Sequence, residues 1–176
     1  VPRLLVPHPS TPLCQFRLEV ACDRAGAALF AARCRVGGPV AALRIPGRAS
    51  ARRADGLWRT TCFEAFVRPD GGDAYYEYNF SPSGEWAAYR FDAYRAGMTP
   101  FACAAPEIRM AVGPDSLEWA VRAPLPAATT CRVGLSAVLE GADGEKSYWA
   151  LAHPHGPPDF HHADCFAAEL PQYEAP

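Results

Sequence analysis

The sequence has no apolar run approaching the roughly 20 residues that a membrane-crossing helix needs, so no such helix is expected. Paired cysteines are also missing. Seven cysteines lie far apart, at positions 14, 22, 34, 62, 103, 131 and 165, and no Cys-x-x-Cys occurs. That excludes a zinc ribbon and a thioredoxin-type motif. Scattered single thiols read as reduced, buried small hydrophobes in a cytoplasmic protein. Lysine is nearly absent: Lys146 is the one lysine among seventeen basic residues. The arginine bias reads as genomic base composition. A formal charge of -2 leaves no global basic field to attract nucleic acid or an anionic membrane. No charged segment backed by an apolar core stands at the start, so no signal peptide is read; the chain opens at Val1, which leaves room for a leader removed earlier. Gly-x-Ser-x-Gly, His-Glu-x-x-His and phosphate-loop patterns do not occur.

Turn-forming residues, by contrast, are plentiful. Eighteen prolines and fourteen glycines cut the chain into pieces too short for many helices. Short apolar runs between them predict strands near Cys14–Cys22, Ala28–Val36, Thr61–Arg68, Tyr75–Ser81, Glu85–Phe91, Ile108–Val112, Leu117–Ala123, Arg132–Glu140, Ser147–Ala152 and Cys165–Leu170. The breaks carry turn chemistry, as in Ser81-Pro82-Ser83-Gly84 and Gly141-Ala142-Asp143-Gly144. Many short strands with such turns predict an all-β antiparallel sandwich, with residues 1–170 as one domain and 171–176 as a tail. In Val133–Leu139 the odd positions form one apolar face, as in a half-buried strand. The run Tyr75–Ser81 differs: Tyr76, Tyr78 and Phe80 share one face, and Tyr75, Glu77, Asn79 and Ser81 the other. Aromatics on both faces suit a central strand with polar groups set into it. The segment Ala41–Asp55, with Arg44, Arg48, Arg52 and Arg53, reads as a solvated loop, a phosphate-binding patch being the alternative.

Three segments concentrate tryptophans and carboxylates: Leu57-Trp58-Arg59-Thr60-Thr61-Cys62-Phe63-Glu64; Tyr75 to Tyr89, with Asn79-Phe80-Ser81-Pro82-Ser83-Gly84 inside it; and Ser147-Tyr148-Trp149-Ala150-Leu151-Ala152-His153-Pro154 with Pro158-Asp159-Phe160-His161 after it. Together they resemble the DOMON-like family, relatives of the family 9 carbohydrate-binding modules. The resemblance covers most of the chain from about Leu57 to His161. It implies a jelly-roll-like sandwich of two antiparallel sheets, in a superfamily with sugar-binding and haem-binding members.

A small polar ligand, a carbohydrate first, is the leading expectation. Sugar rings pack their C–H faces on aromatic rings, and their hydroxyls need fixed hydrogen-bonding partners. Trp58, Trp86 and Trp149 are candidate platforms, with Tyr78 beside them. Glu64, Glu77, Asn79 and His153 are candidate partners. On this reading Trp86→Ala weakens binding without unfolding the chain. Packing of each Trp in the core, and internal pairing of both glutamates, are the bland alternatives. A haem reading draws on Met98, Met110 and either His153 or His161. A metal reading draws on His153, His155, Asp159, His161, His162, Asp164 and Cys165. Catalysis would rest on Glu64 and Glu77 as paired carboxylates or on Cys62 as a nucleophile. A protein-interaction module without a small ligand is a further alternative. Cofactor and oligomeric state are left open.

Overall fold

The structure is a computed structural model that describes residues 1–11, 15–126 and 130–173. Alternating apolar residues between turns produce β-strands throughout, named here in chain order: β1 (Arg3–Pro7), β2 (Arg17–Gly26), β3 (Leu29–Gly37), β4 (Cys62–Pro69), β5 (Tyr75–Phe80), β6 (Trp86–Phe91), β7 (Thr99–Pro100), β8 (Glu107–Val112), β9 (Ser116–Pro124), β10 (Cys131–Glu140), β11 (Lys146–Ala150) and β12 (Ala168–Leu170). Three single-turn 3-10 helices, at Val40–Ala42, Leu57–Arg59 and Ala163–Cys165, are the helical elements among the described residues. No described helix is long and apolar enough to cross a membrane.

All pairings between these strands are antiparallel, in the order β7-β6-β5-β4-β10-β11-β1-β2-β3-β9-β8, with β12 beside the start of β10. Strand β1 joins two halves. Its first residues pair with β2, and Val6 and Pro7 pair with β11. The sheet therefore curls into two facing layers, the β-sandwich expected from the turn spacing. Between the layers lies the main core, with Leu18, Phe30, Val36, Phe63, Tyr78, Phe80, Trp119, Val133 and Leu135.

A second apolar layer decides where a ligand could sit. It covers the other face of β4, β5, β6, β10 and β11, and contains Leu57, Cys62, Phe66, Tyr75, Ala87, Tyr89, Phe91, Val138, Ala150, Phe160 and Phe166. The turn at Leu57 and the segment after β11 roof this layer. Central strands are thus buried on both faces, which is why residues 62–67 of β4 are all buried. Gly134 allows the roof to approach: a Cβ there would lie 2.9 Å from the Cys165 carbonyl oxygen.

Predicted and observed strands agree closely through the middle of the chain. The run Cys165–Leu170 shortens to Ala168–Leu170, because residues 163–165 form a 3-10 turn. Strand β1 escapes the sequence reading because only Leu5 of its five residues is buried, so no alternation shows. Strand β7 is two exposed residues. Cys14 and residues 174–176 of the predicted tail lie outside the described residues. The arginine-rich segment is tied to the sheet: Arg44 pairs with Glu140 at 3.2 Å, Arg52 with Glu85 at 2.8 Å, and Arg53 donates to the Ala88 carbonyl at 2.9 Å.

Candidate functional site

Strand alternation and register build a polar floor inside the second layer. On β4, Cys62, Glu64 and Phe66 point to the roofed face, because Phe63, Ala65 and Val67 belong to the main core. Ser136, Glu64 and Asn79 lie directly opposite one another across β10, β4 and β5. The next row holds Phe66, Glu77 and Tyr89. Glu64 and Glu77 are therefore diagonal neighbours on adjacent strands, about 7 Å apart at the backbone.

Both carboxylates are buried, 3% and 6% exposed. The Asn79 amide donates to Glu77 Oε1 at 2.7 Å. Glu64 Oε1 and Ser136 Oγ are buried with no hydrogen-bond partner. Burial raises the Glu64 carboxyl well above its ordinary range, and the charge of Glu77 adds to the shift. Burial raises Glu77 too, but the Asn79 amide and the Arg95 charge oppose it. Both carboxyls are thus pushed toward the neutral form, Glu64 with no hydrogen bond or cation to oppose its burial.

Above the floor is a cavity of about 510 Å³, a size ordinary for small-molecule sites. Tyr89, Phe91, Tyr148 and Phe160 contribute aromatic wall, and Trp58 stands at the rim. Leu57 anchors the rim turn in the second apolar layer, whereas Trp58 stays 39% exposed, edge-on to Tyr89 with ring centroids 6.2 Å apart. The lining cations are Arg59, Arg95 and Lys146.

One side of the cavity is a hydrogen-bonded network. The Arg95 backbone N–H donates to the Tyr75 hydroxyl at 3.2 Å, so the hydroxyl proton is assigned to His161 Nδ1, 2.7 Å away. His161 Nε2 then carries a hydrogen toward Glu77 Oε2, 3.7 Å away. Burial, aided by the Arg95 charge, pushes the His161 pKa down to about 4, so the ring is neutral near pH 7. The Arg95 guanidinium donates to Asp159 at 2.7 Å, and Tyr94 also donates to that carboxylate. Burial alone would raise Asp159, but these two donors more than offset it and hold the group low. Arg95 adopts φ 52°, in the left-handed region where a side chain costs about 1–2 kcal/mol. The network holds it there.

The predicted residues divide into two groups. Trp58, Glu64 and Glu77 line the cavity, and Asn79 braces Glu77 from below. Trp86 and Trp149 point the other way, into the main core, 6% and 3% exposed. Trp86 pairs with Phe80 and so shares the face of Tyr78, not that of Glu77. Tyr78 is itself core, its hydroxyl bonded to the Pro124 carbonyl at 2.7 Å. His153 lies outside the cavity lining; its Nε2 is 3.0 Å from the Val6 carbonyl oxygen, and its ring stands edge-on to His8. The expectation for Trp86→Ala is accordingly corrected: its ring is buried in the main core, with the Arg53 guanidinium 4.6 Å from its centroid.

Sequence reasoning overlooked Tyr89 and Phe91 as walls, Tyr148 and Phe160 with them, and the rim cations. A usable signal was present. The hairpin turn at Ser81–Gly84 sets Tyr89 opposite Glu77, so extending the face of β5 by one strand finds it. The histidine-rich segment is dispersed: His161 joins the Tyr75 network, His162 approaches Asp164 at 3.5 Å, and His153 meets β1. Among the described residues no group of three or more His, Cys, Asp or Glu side chains could hold a metal ion. Met98 lines the cavity, but Met110 lies on β8 in the opposite sheet. Cys62 is fully buried, and burial raises its thiol well above the ordinary range, which keeps it protonated.

The architecture has solved counterparts. No protein-family model matches this chain, and no curated protein matches it in sequence. By structure, the chain has the β-sandwich fold of the family 9 carbohydrate-binding modules. It is similar to a presumed carbohydrate-binding protein from Bacteroides uniformis, with TM-score 0.67 and 15% identity over 97% of this chain and 85% of that one. It is also similar to a family 9 carbohydrate-binding module from Caldicellulosiruptor kristjanssonii. In complex with glucose that module gives TM-score 0.59 and 12% identity over 99% of this chain and 85% of the other. In complex with cellotriose it gives 0.60 and 12% over 98% and 84%.

Proposed function

We propose that this protein binds a small carbohydrate in the cavity over Glu64 and Glu77, without making or breaking a bond. The observation that carries the reading is Glu64 Oε1, a buried polar atom with no hydrogen-bond partner, on the floor of an aromatic-walled cavity. An unpaired buried polar atom costs about 1–3 kcal/mol, and a ligand hydroxyl would relieve that cost. Trp58 supplies an exposed aromatic face at the rim, while Asn79 holds Glu77 in place to accept from a second hydroxyl. The glucose and cellotriose complexes of the Caldicellulosiruptor module support the ligand class. The signature segments from Leu57 to His161 support a DOMON-like relation as well. Within this reading the site residues are Trp58, Glu64, Glu77, Asn79, Tyr89, Tyr148 and Phe160.

A thermal-shift screen against mono- and oligosaccharides, haemin and divalent cations tests the proposal. A ligand specific for the folded state raises Tm with concentration. The expected result is a rise with one class of sugar. A rise with haemin or a cation alone, or with nothing, contradicts the reading.

A further inference from the structure

We infer that the cavity selects sugars bearing a carboxylate, with the hydroxyl-rich end over Glu64 and Glu77 and the carboxylate at the mouth against Arg59 and Lys146. This inference rests on the carbohydrate reading and adds a ligand class to it. The lining charges are segregated by depth. Both acids are on the floor, on β4 and β5, and buried. The cations come from elements nearer solvent: Arg59 from the exposed end of the 3-10 turn after Gly56, Arg95 from the turn after β6, and Lys146 from the start of β11.

The state of the three cations differs in a way that matters. Arg95 is committed to Asp159 at 2.7 Å. Among the described residues neither Arg59 nor Lys146 forms an ion pair. Glu140, the cross-strand neighbour of Lys146, is instead paired with Arg44 at 3.2 Å. The sole lysine of the chain therefore lines the cavity without an ion pair, as does Arg59, a second lining cation. A neutral sugar would use the floor and leave both charges idle. An ammonium-bearing sugar in the same orientation would place a like charge against them. A uronate uses both ends of the cavity, its ring against the aromatic wall.

Isothermal titration calorimetry on the full chain, at low ionic strength, compares the methyl glycosides of glucuronate, galacturonate and mannuronate with their neutral parents. At least one uronate is expected to bind on the order of tenfold tighter than its parent, a factor in keeping with two partly exposed charge contacts. Added salt is expected to shrink that advantage. In the double variant Arg59→Gln and Lys146→Gln the uronate is expected to bind no better than its parent, and Lys146→Arg alone is expected to keep most of the preference. A melting curve for the double variant, whose side chains are not core, shows that it is folded. A neutral parent that binds as well as its uronate overturns the inference but leaves the carbohydrate reading intact. So does glucosamine binding more tightly than any uronate, or a preference that survives in the double variant. If neither neutral nor acidic sugars bind, both readings fall.

Discussion

Glu64 and Glu77 lie on one buried face, where two charges cannot both be solvated by water. Their raised pKa values have a consequence for stability that can be measured. A carboxyl whose pKa is higher in the folded chain than in the unfolded one binds its proton more tightly when folded. Its stabilising contribution is present at low pH and fades as pH rises above the ordinary carboxylate value of 4.5 through the higher folded value. His161 acts in the opposite sense. Its folded pKa of about 4 lies below the ordinary 6.5, so its contribution is full above 6.5 and is lost as pH falls toward 4. Glu64→Gln is therefore expected to flatten the loss of Tm as pH rises above 6.5, where His161 contributes fully, without lowering Tm at the upper end. Equal slopes in the variant and the parent would contradict the raised pKa of Glu64. These acids were readable from sequence, because Glu64 shares a strand face with Cys62 and Phe66, and Glu77 with Tyr75 and Asn79. Their unpaired state was not, because it depends on Ser136 and Asn79 arriving from strands far along the chain.

At the scale of elements, β4, β5 and β6 carry apolar side chains on both faces, and each face has a separate role. The inner face holds the sandwich together, and the outer face floors the cavity. Removing Trp86 or Trp149 from the inner face is expected to cost about 3–5 kcal/mol in chemical denaturation, as for other buried large-to-small changes. Trp58→Ala is expected to leave stability within about 0.5 kcal/mol while weakening sugar binding about tenfold or more in titration calorimetry. Equal effects of the three substitutions on stability would contradict the assignment of faces. The turn that carries Tyr94 and Arg95 depends on Gly97, with φ 66°; a Cβ there would fall 2.1 Å from Asp92 Oδ2. Gly97→Ala is expected to destabilise the chain by about 1–3 kcal/mol and to loosen the Arg95–Asp159 pair, detectable as altered protection of the residue 92–98 amides in hydrogen exchange. Strand positions were legible because turn residues bound them. Which face looked inward was not, since aromatics on both sides of Tyr75–Phe80 hide the difference that a one-sided strand displays.

Over the whole molecule, two apolar layers are stacked on the β4–β5–β6–β10–β11 half of the sandwich. The first is the interior common to such folds. The second is shallower and shelters a carboxylate pair that would otherwise face water. The two-layer sandwich could be anticipated from strand spacing and turns alone. The roof could not, because the Leu57 turn and the segment after β11 lack periodicity and are placed by tertiary packing on Phe66, Tyr75 and Val138. The chain contains four tryptophans. One stands at the cavity rim and Trp86, Trp119 and Trp149 are buried between the sheets, so each indole N–H reports a different place. The most direct test follows the four indole signals in a 15N–1H correlation spectrum while a sugar that raises Tm is added. A site in the cavity predicts that the Trp58 signal moves in a saturable way and that the three core signals stay in place. An unmoved Trp58 signal beside shifts at Trp86 or Trp149, or saturation without change at any indole, would contradict it.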